Sequence, residues 1–209
     1  MTKSPVWHPF TQHAVQPDPT VISRGEGAWL EAADDRRIFD AISSWWVITH
    51  GHRHPHIVQA IKGQIDRLDL VIFAGFTHEP AEKLARHLVA ITPPELEYVF
   101  FSDSGSTSVE VALKMALGFW QNKGIRRTRI LALEGAYHGD TIGGMSVGER
   151  GVFNAPYAPL LFDVERIPFP AVNREEATLD ALKMACKRGD VAALIVEPLV
   201  LGAGGMLIY

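Results

Sequence analysis

The chain has 209 residues, of which 47% are apolar, 21% charged and 9% aromatic. These are ordinary values for a chain that buries a core in one or two domains, and they exclude wholesale disorder and fibrous architectures. A formal net charge of −4 argues against a general nucleic-acid or anionic-membrane binder, and a single cysteine, Cys186, cannot staple a fold, which suits a reducing cytoplasm.

The first residues lack the apolar core of a signal peptide. Residues 1–24 carry prolines at positions 5, 9, 17 and 19, and read as an extended arm. Two apolar-rich runs, 27–32 and 37–41, flank the polar Ala33-Asp34-Asp35-Arg36, which predicts a β-hairpin. Ile57, Val58, Ile61, Ile65 and Leu68 recur at helical spacing over 55–68. Ala81, Leu84, Ala85, Leu88 and Ile91 do the same over 79–91, and Pro93-Pro94 ends that helix.

From there strands and helices alternate. Residues 98–101 read as a short apolar strand, 105–121 as a helix with Val109, Leu113 and Trp120 on one face, and 129–133 as a strand. A helix over 174–187 and a continuous apolar strand over 191–196 follow. The stretch 191–209 has one charge, Glu197, but Pro198 and Gly202, Gly204 and Gly205 interrupt it, so it reads as a strand and a glycine loop rather than a membrane span. The alternation implies an α/β domain with a mostly parallel sheet, whose ligands bind beyond the carboxyl ends of the strands.

Three such ends carry chemistry. Ser104-Gly105-Ser106, ahead of a strongly periodic helix, has the composition of a phosphate cup: free backbone N–H groups, a glycine that lets a ligand approach, and hydroxyl donors. An N-capping serine without a ligand is the plainer alternative. The spacing of a Walker A loop and that of a nucleophile elbow are both absent. Glycines on both sides of Tyr137-His138 leave an aromatic ring free to stack on a flat ligand, or to sit in an ordinary turn. Glu197 ends a buried strand, where a carboxylate either finds a partner or faces a cleft. The run His50-Gly51-His52-Arg53-His54-Pro55-His56 has no cysteine or carboxylate nearby to complete a ligand set and leads into a helix, so no metal site is assigned. Trp45-Trp46 reads either as core or as the wall of a pocket for an apolar substrate.

Taken in order, several pieces resemble the class III (fold type I) pyridoxal-phosphate aminotransferases. They are Trp7-His8-Pro9-Phe10-Thr11, Ser43-Ser44-Trp45-Trp46, Gly51-His52-Arg53-His54-Pro55, Thr77-His78-Glu79-Pro80-Ala81 and Asp103-Ser104-Gly105-Ser106. Tyr137-His138-Gly139-Asp140-Thr141, Met145-Ser146-Val147, and Glu197-Pro198 with Gly202-Ala203-Gly204-Gly205-Met206 complete the set. The paired tryptophans and the Trp-His-Pro piece look like the branch that acts on 8-amino-7-oxononanoate in biotin synthesis.

The resemblance implies the aspartate aminotransferase-like α/β fold. Residues 1–50 would form the arm and hairpin of a small domain, and 51–209 an incomplete, truncated large domain. It implies pyridoxal 5'-phosphate as cofactor, with Ser104, Gly105 and Ser106 at its phosphate, Tyr137 on its ring, and His138 and Glu197 beside it. Phe10, Trp45, Trp46, Tyr137 and Asp140 would meet the substrate. Some members carry tyrosine at the position of Phe10, which leaves the amino donor open between S-adenosylmethionine and lysine. A cytoplasmic homodimer is implied as well. Other ω-amino-acid aminotransferases of the class, and a non-catalytic cofactor-binding fragment, are the competing readings. None of the seven lysines (Lys3, Lys62, Lys83, Lys114, Lys123, Lys183 and Lys187) follows a strand end in the context the family uses for its Schiff-base lysine, so no catalytic residue is named. The 209 residues alone are therefore expected to be inactive and poorly soluble.

Overall fold

The computed structural model describes residues 4–209, which divide by contacts into two compact units with the boundary between Ala90 and Ile91.

The first unit is built on an antiparallel meander of β1 (Ile22–Glu26), β2 (Trp29–Ala32) and β3 (Arg37–Phe39). β2 and β3 form the predicted hairpin, with Trp29 opposite Phe39 and Leu30 opposite Ile38. The Trp29 and Phe39 rings meet edge-on at 5.2 Å, and the Arg37 guanidinium lies 4.6 Å from the Trp29 ring centre. β1 was not legible, because Ile-Ser-Arg-Gly-Glu has no apolar alternation and is a strand only through pairing with β2. Helices Pro55–Ile65 and Glu79–Ile91 lie where the periodicity places them, the first ending a turn earlier than residue 68. Pro55 opens the first, where its missing N–H costs nothing.

The second unit holds a three-stranded parallel sheet in the order β5 (Glu165–Ile167), β4 (Arg129–Leu133), β6 (Val191–Ile195). β4 is central, and its Leu131 and Ala132 are wholly buried. Leu113 of helix Gly105–Asn122 packs with Ile130 and Val147 on one side of the sheet. The other cluster is Leu133, Ala136, Ile167 and Leu201, covered by Ala181 and Leu182 of helix Glu175–Lys187. The Trp120 indole N–H donates to the Ala192 carbonyl at 2.8 Å and ties the first of these helices to β6.

Residues 98–101 are not a strand, contrary to expectation. No strand among the described residues pairs with them, and without a ladder an apolar run has no extended form to hold; Tyr98 is 91% exposed. Helix Ile142–Val147 was not predicted, since two of its six residues are glycine. Tertiary packing demands it: the Gly143 N–H donates to Glu110 Oε1 at 2.6 Å, and a side chain at Gly144 would press on the His138 and Gly139 carbonyls at 2.9 Å. A short β7–β8 ribbon (Val200–Leu201, Leu207–Ile208) brackets the glycine loop. No helix among the described residues is long and apolar enough to cross a membrane.

Candidate functional site

The helix Gly105–Asn122 begins with Ser104 in extended backbone. Ser104 Oγ accepts the Thr107 N–H at 3.1 Å, while Thr107 Oγ1 accepts the Ser104 N–H at 2.8 Å. This reciprocal box satisfies two backbone donors of the terminus. The N–H groups of Gly105 and Ser106 find no partner among the described residues, and nothing lies within 4 Å of where a Gly105 Cβ would stand. Two unclaimed donors at the positive end of an 18-residue helix make a cradle for an anion.

The loop that leaves the carboxyl end of β4 closes against this cradle. Gly139 has φ +107°, and a Cβ there would collide with Ser106 Oγ and lie 2.9 Å from Ser106 Cβ. Only glycine combines that backbone with that approach. The Asp140 N–H donates to Ser106 Oγ at 3.3 Å, and the bond from Gly143 to Glu110 fastens the loop to the same helix one turn further on. Tyr137 is 45% exposed; its phenol donates to Asp140 Oδ2 at 2.8 Å, and burial together with that carboxylate pushes its pKa up. The ring is thus a protonated, tethered, partly open flat surface. His138 is buried and its Nε2 has no hydrogen-bond partner among the described residues; burial pushes its pKa down against the pull of the Glu197 charge.

Glu197, just past β6, is a clamp. Its Oε1 accepts the Tyr137 N–H at 2.9 Å and its Oε2 accepts the Gly202 N–H at 2.9 Å. Its backbone carbonyl accepts the Tyr209 hydroxyl. The carboxylate therefore joins the tyrosine loop to the glycine loop. Glu149 holds the other end of the tyrosine loop by accepting the Gly135 N–H at 2.7 Å. Ser104, Gly105, Ser106, Tyr137, His138, Asp140 and Glu197 are thus placed together at the carboxyl ends of β4 and β6 and the start of the capped helix.

Phe10, Trp45 and Trp46 belong to the first unit. The Phe10 and Trp45 rings stack, with centroids 5.7 Å apart and 21° between planes, and all three side chains are exposed. The tryptophans sit on a turn of opposite hand to an ordinary helix: Ser43, Ser44, Trp45 and Trp46 have φ of 50°, 46°, 69° and 72°. For residues with a Cβ this conformation costs about 1–2 kcal/mol each. The turn closes on itself through Trp46 N–H to Ile42 O and Val47 N–H to Ser43 O, both 2.9 Å.

Asp40 anchors the turn. Its Oδ1 accepts the Ser44 N–H at 2.8 Å, and its Oδ2 accepts the Ser44 hydroxyl at 2.7 Å and lies 2.8 Å from His52 Nε2. The two Ser44 bonds, then the His52 bond, hold its pKa down to about 2 from 3.8. A lowered carboxylate pKa adds stability that is present above the unfolded value and lost as pH falls through the folded one. Asp40→Asn is therefore expected to remove part of the acid-unfolding limb between about pH 4 and pH 2, followed by tryptophan fluorescence.

Sequence reasoning missed Asp40, His52 and Glu110 as parts of a site. The first two are 12 positions apart and the third meets its loop 33 positions away, separations at which no spacing rule applies. His52 stood in the histidine run. Among the described residues no three potential ligands stand together as a metal set; the His50 and His54 rings meet edge-on at 6.2 Å.

A family model for class-III aminotransferases matches residues 10–209. The adenosylmethionine-8-amino-7-oxononanoate aminotransferase of Synechococcus elongatus is 56% identical over 209 residues, covering 96% of this chain and 49% of that protein. The protein of the same name from Nitratidesulfovibrio vulgaris is 43% identical, covering 97% and 41%. The crystal structure of the Methanocaldococcus jannaschii protein of that name matches with a TM-score of 0.88 at 34% identity, over 98% of this chain and 47% of that one. An amine transaminase from an uncultivated Pseudomonas species, in its PLP-bound form, matches at 0.84 and 31% identity, over 99% and 51%. The chain spans about half the length of the curated relatives it matches. Matched by the family model over nearly its whole length, it belongs to the class-III aminotransferase family.

Proposed function

We propose that these residues form the cofactor-phosphate half of a pyridoxal-phosphate aminotransferase that converts 8-amino-7-oxononanoate to 7,8-diaminononanoate, with S-adenosylmethionine or lysine as amino donor. The observation that carries this reading is the junction of Ser106 with Gly139 and Asp140, which sets an open helix N-terminus beside the loop that presents Tyr137. Membership of the family and the names of the relatives support it.

The residues fit the group. A phosphate takes the two unclaimed N–H groups of Gly105 and Ser106, and the Ser106 hydroxyl keeps a proton to donate while its oxygen accepts from Asp140. Tyr137 offers a face for the ring and is held at both ends, by Glu197 through its backbone and by Asp140 through its phenol. The buried His138 Nε2 is a polar atom in want of a partner at the same strand end. When bound, the cofactor supplies the electron sink that amino transfer requires, and the protein supplies orientation and proton handling. Trp45 and Trp46, with Phe10, give a flat apolar surface for the carbon chain of the keto substrate. A cytoplasmic homodimer, and a cofactor-bearing lysine outside these 209 residues, complete the proposal.

The test uses the full-length gene product loaded with pyridoxal phosphate. It is expected to form 7,8-diaminononanoate from one of the two donors. Trp45→Ala and Trp46→Ala are each expected to raise KM for the keto substrate about tenfold with kcat little changed, the pattern of lost binding surface. Faster turnover of simple ω-amino acids than of 8-amino-7-oxononanoate would overturn the substrate. Absence of cofactor absorbance in the purified protein would overturn the cofactor.

A further inference from the structure

We infer that Asp40 and His52 are positioning residues for the tryptophan pair: together they hold the left-handed turn Ser43–Trp46 in the form that presents both indoles. The inference rests on the reading of Trp45 and Trp46 as substrate-contacting residues.

Three observations carry it. The turn is not made by its own sequence, because Ser-Ser-Trp-Trp contains no glycine, and four consecutive residues with positive φ need an external hold. Packing does not provide that hold, since Trp45 and Trp46 are 66% and 72% exposed and the ring partner of Trp45 is the exposed Phe10. The hold comes from Asp40, which accepts both the backbone N–H and the hydroxyl of Ser44 from outside the turn.

His52 completes the device by anchoring Asp40. Its Nε2 lies 2.8 Å from Asp40 Oδ2, and its own backbone is fixed on both sides to Gly27, donating at 2.7 Å and accepting at 3.1 Å. The Asp40 and His52 side chains are only 5% and 15% exposed, whereas Arg24–Glu26 and Arg36–Asp34 on the same meander are more than half exposed. A shielded pair keeps its geometry where an exposed one does not. The chain of contacts runs from the meander through His52 and Asp40 to Ser44, and ends at the two indoles.

A pair that merely stabilised the fold would lower the apparent kcat through the folded fraction and leave both KM values where they are. A positioning pair acts on the keto substrate alone. In the full-length holoenzyme, Asp40→Asn is expected to raise KM for 8-amino-7-oxononanoate about tenfold, with kcat and the donor KM within about twofold. Ser43→Gly added to Asp40→Asn is expected to bring that KM part of the way back, to within about threefold, because glycine takes positive φ without a Cβ clash and lessens what the anchor must hold. His52→Ala should resemble Asp40→Asn. His52→Gln, whose amide still donates near the Nε2 position, should lie close to the unsubstituted enzyme.

An unchanged KM in Asp40→Asn, alongside a raised KM in Trp45→Ala, overturns the inference and leaves the substrate reading standing. A uniform loss with no rescue by Ser43→Gly also overturns it. Unchanged KM in Trp45→Ala and Trp46→Ala removes the substrate reading first, and the inference with it. Where Asp40→Asn does not accumulate as folded holoenzyme, the His52 pair decides: a raised KM in His52→Ala that His52→Gln restores supports the inference, and equal values in the two overturn it.

Discussion

Gly139→Ala is expected to weaken binding of pyridoxal phosphate by about 100-fold in the full-length protein. Two separate costs fall on one methyl group. The backbone at 139 has φ +107°, a region that costs a residue with a Cβ about 1–3 kcal/mol. The new Cβ would also lie 2.9 Å from Ser106 Cβ and 3.1 Å from Ser106 Cα, which is overpacking of a kind that costs about 1–3 kcal/mol. Ser106 cannot step aside, because it is the second residue of a capped helix whose first turn is fixed by Ser104 and Thr107. The loop must move instead. That breaks the bond from Asp140 to Ser106 and shifts Tyr137 away from the cradle. A combined cost of about 3 kcal/mol corresponds to about 100-fold in Kd. Gly151→Ala, with nothing within 4 Å of its Cβ, is the control and should stay within about twofold. Cofactor titration followed by absorbance reads both, and a Kd for Gly139→Ala within threefold of the parent would show that the cup does not depend on this contact.

Glu197→Ala is expected to loosen two loops at once. Among the described residues, each carboxylate oxygen is the one acceptor of a backbone N–H, that of Tyr137 on one side and that of Gly202 on the other. Removing both acceptors leaves two donors to find water. A stranded buried donor costs about 1–3 kcal/mol, and half-exposure halves the effect, so about 2 kcal/mol in all is expected. Hydrogen exchange is the direct readout: protection of the Tyr137 and Gly202 amides should each fall by about fivefold, the share of about 1 kcal/mol apiece, while β4 amides stay unchanged. Cofactor affinity should fall by about tenfold, through loss of the hold on the Tyr137 ring. Glu197→Gln keeps one acceptor and turns an NH2 toward the other donor, so one of the two amides should remain protected. Unaltered exchange at both amides in Glu197→Ala would mean that the clamp is not what orders these loops.

Much of the fold was legible because local sequence enforces it. The helix 105–122 was written in its apolar spacing and its serine cap, and β4 in five consecutive residues of which four are buried. The candidate site was legible as residue types at strand ends: a serine–glycine–serine ahead of a helix, a tyrosine between glycines, an acid after a buried strand. Residues 98–101 failed as a strand for the converse reason, since apolar character alone does not supply a ladder. β1 and β5 were missed because Ile-Ser-Arg-Gly-Glu and Glu-Arg-Ile have no strand pattern of their own and are extended only through the neighbours that pair with them.

By itself, then, the sequence determined the alternation of elements, the cap that opens the cradle, and the motifs that mark the family, because each depends on residues within a turn or two of one another. Only the tertiary structure decided that Gly139 must be glycine, that Glu197 is spent on two backbone donors, and that Glu110 fastens the loop. It alone brought Asp40 and His52 together beside the left-handed turn that carries the tryptophans. Hydrogen bonds and close approaches between residues 12, 33 or 60 positions apart depend on how the chain returns on itself, and no local pattern of residues encodes that return.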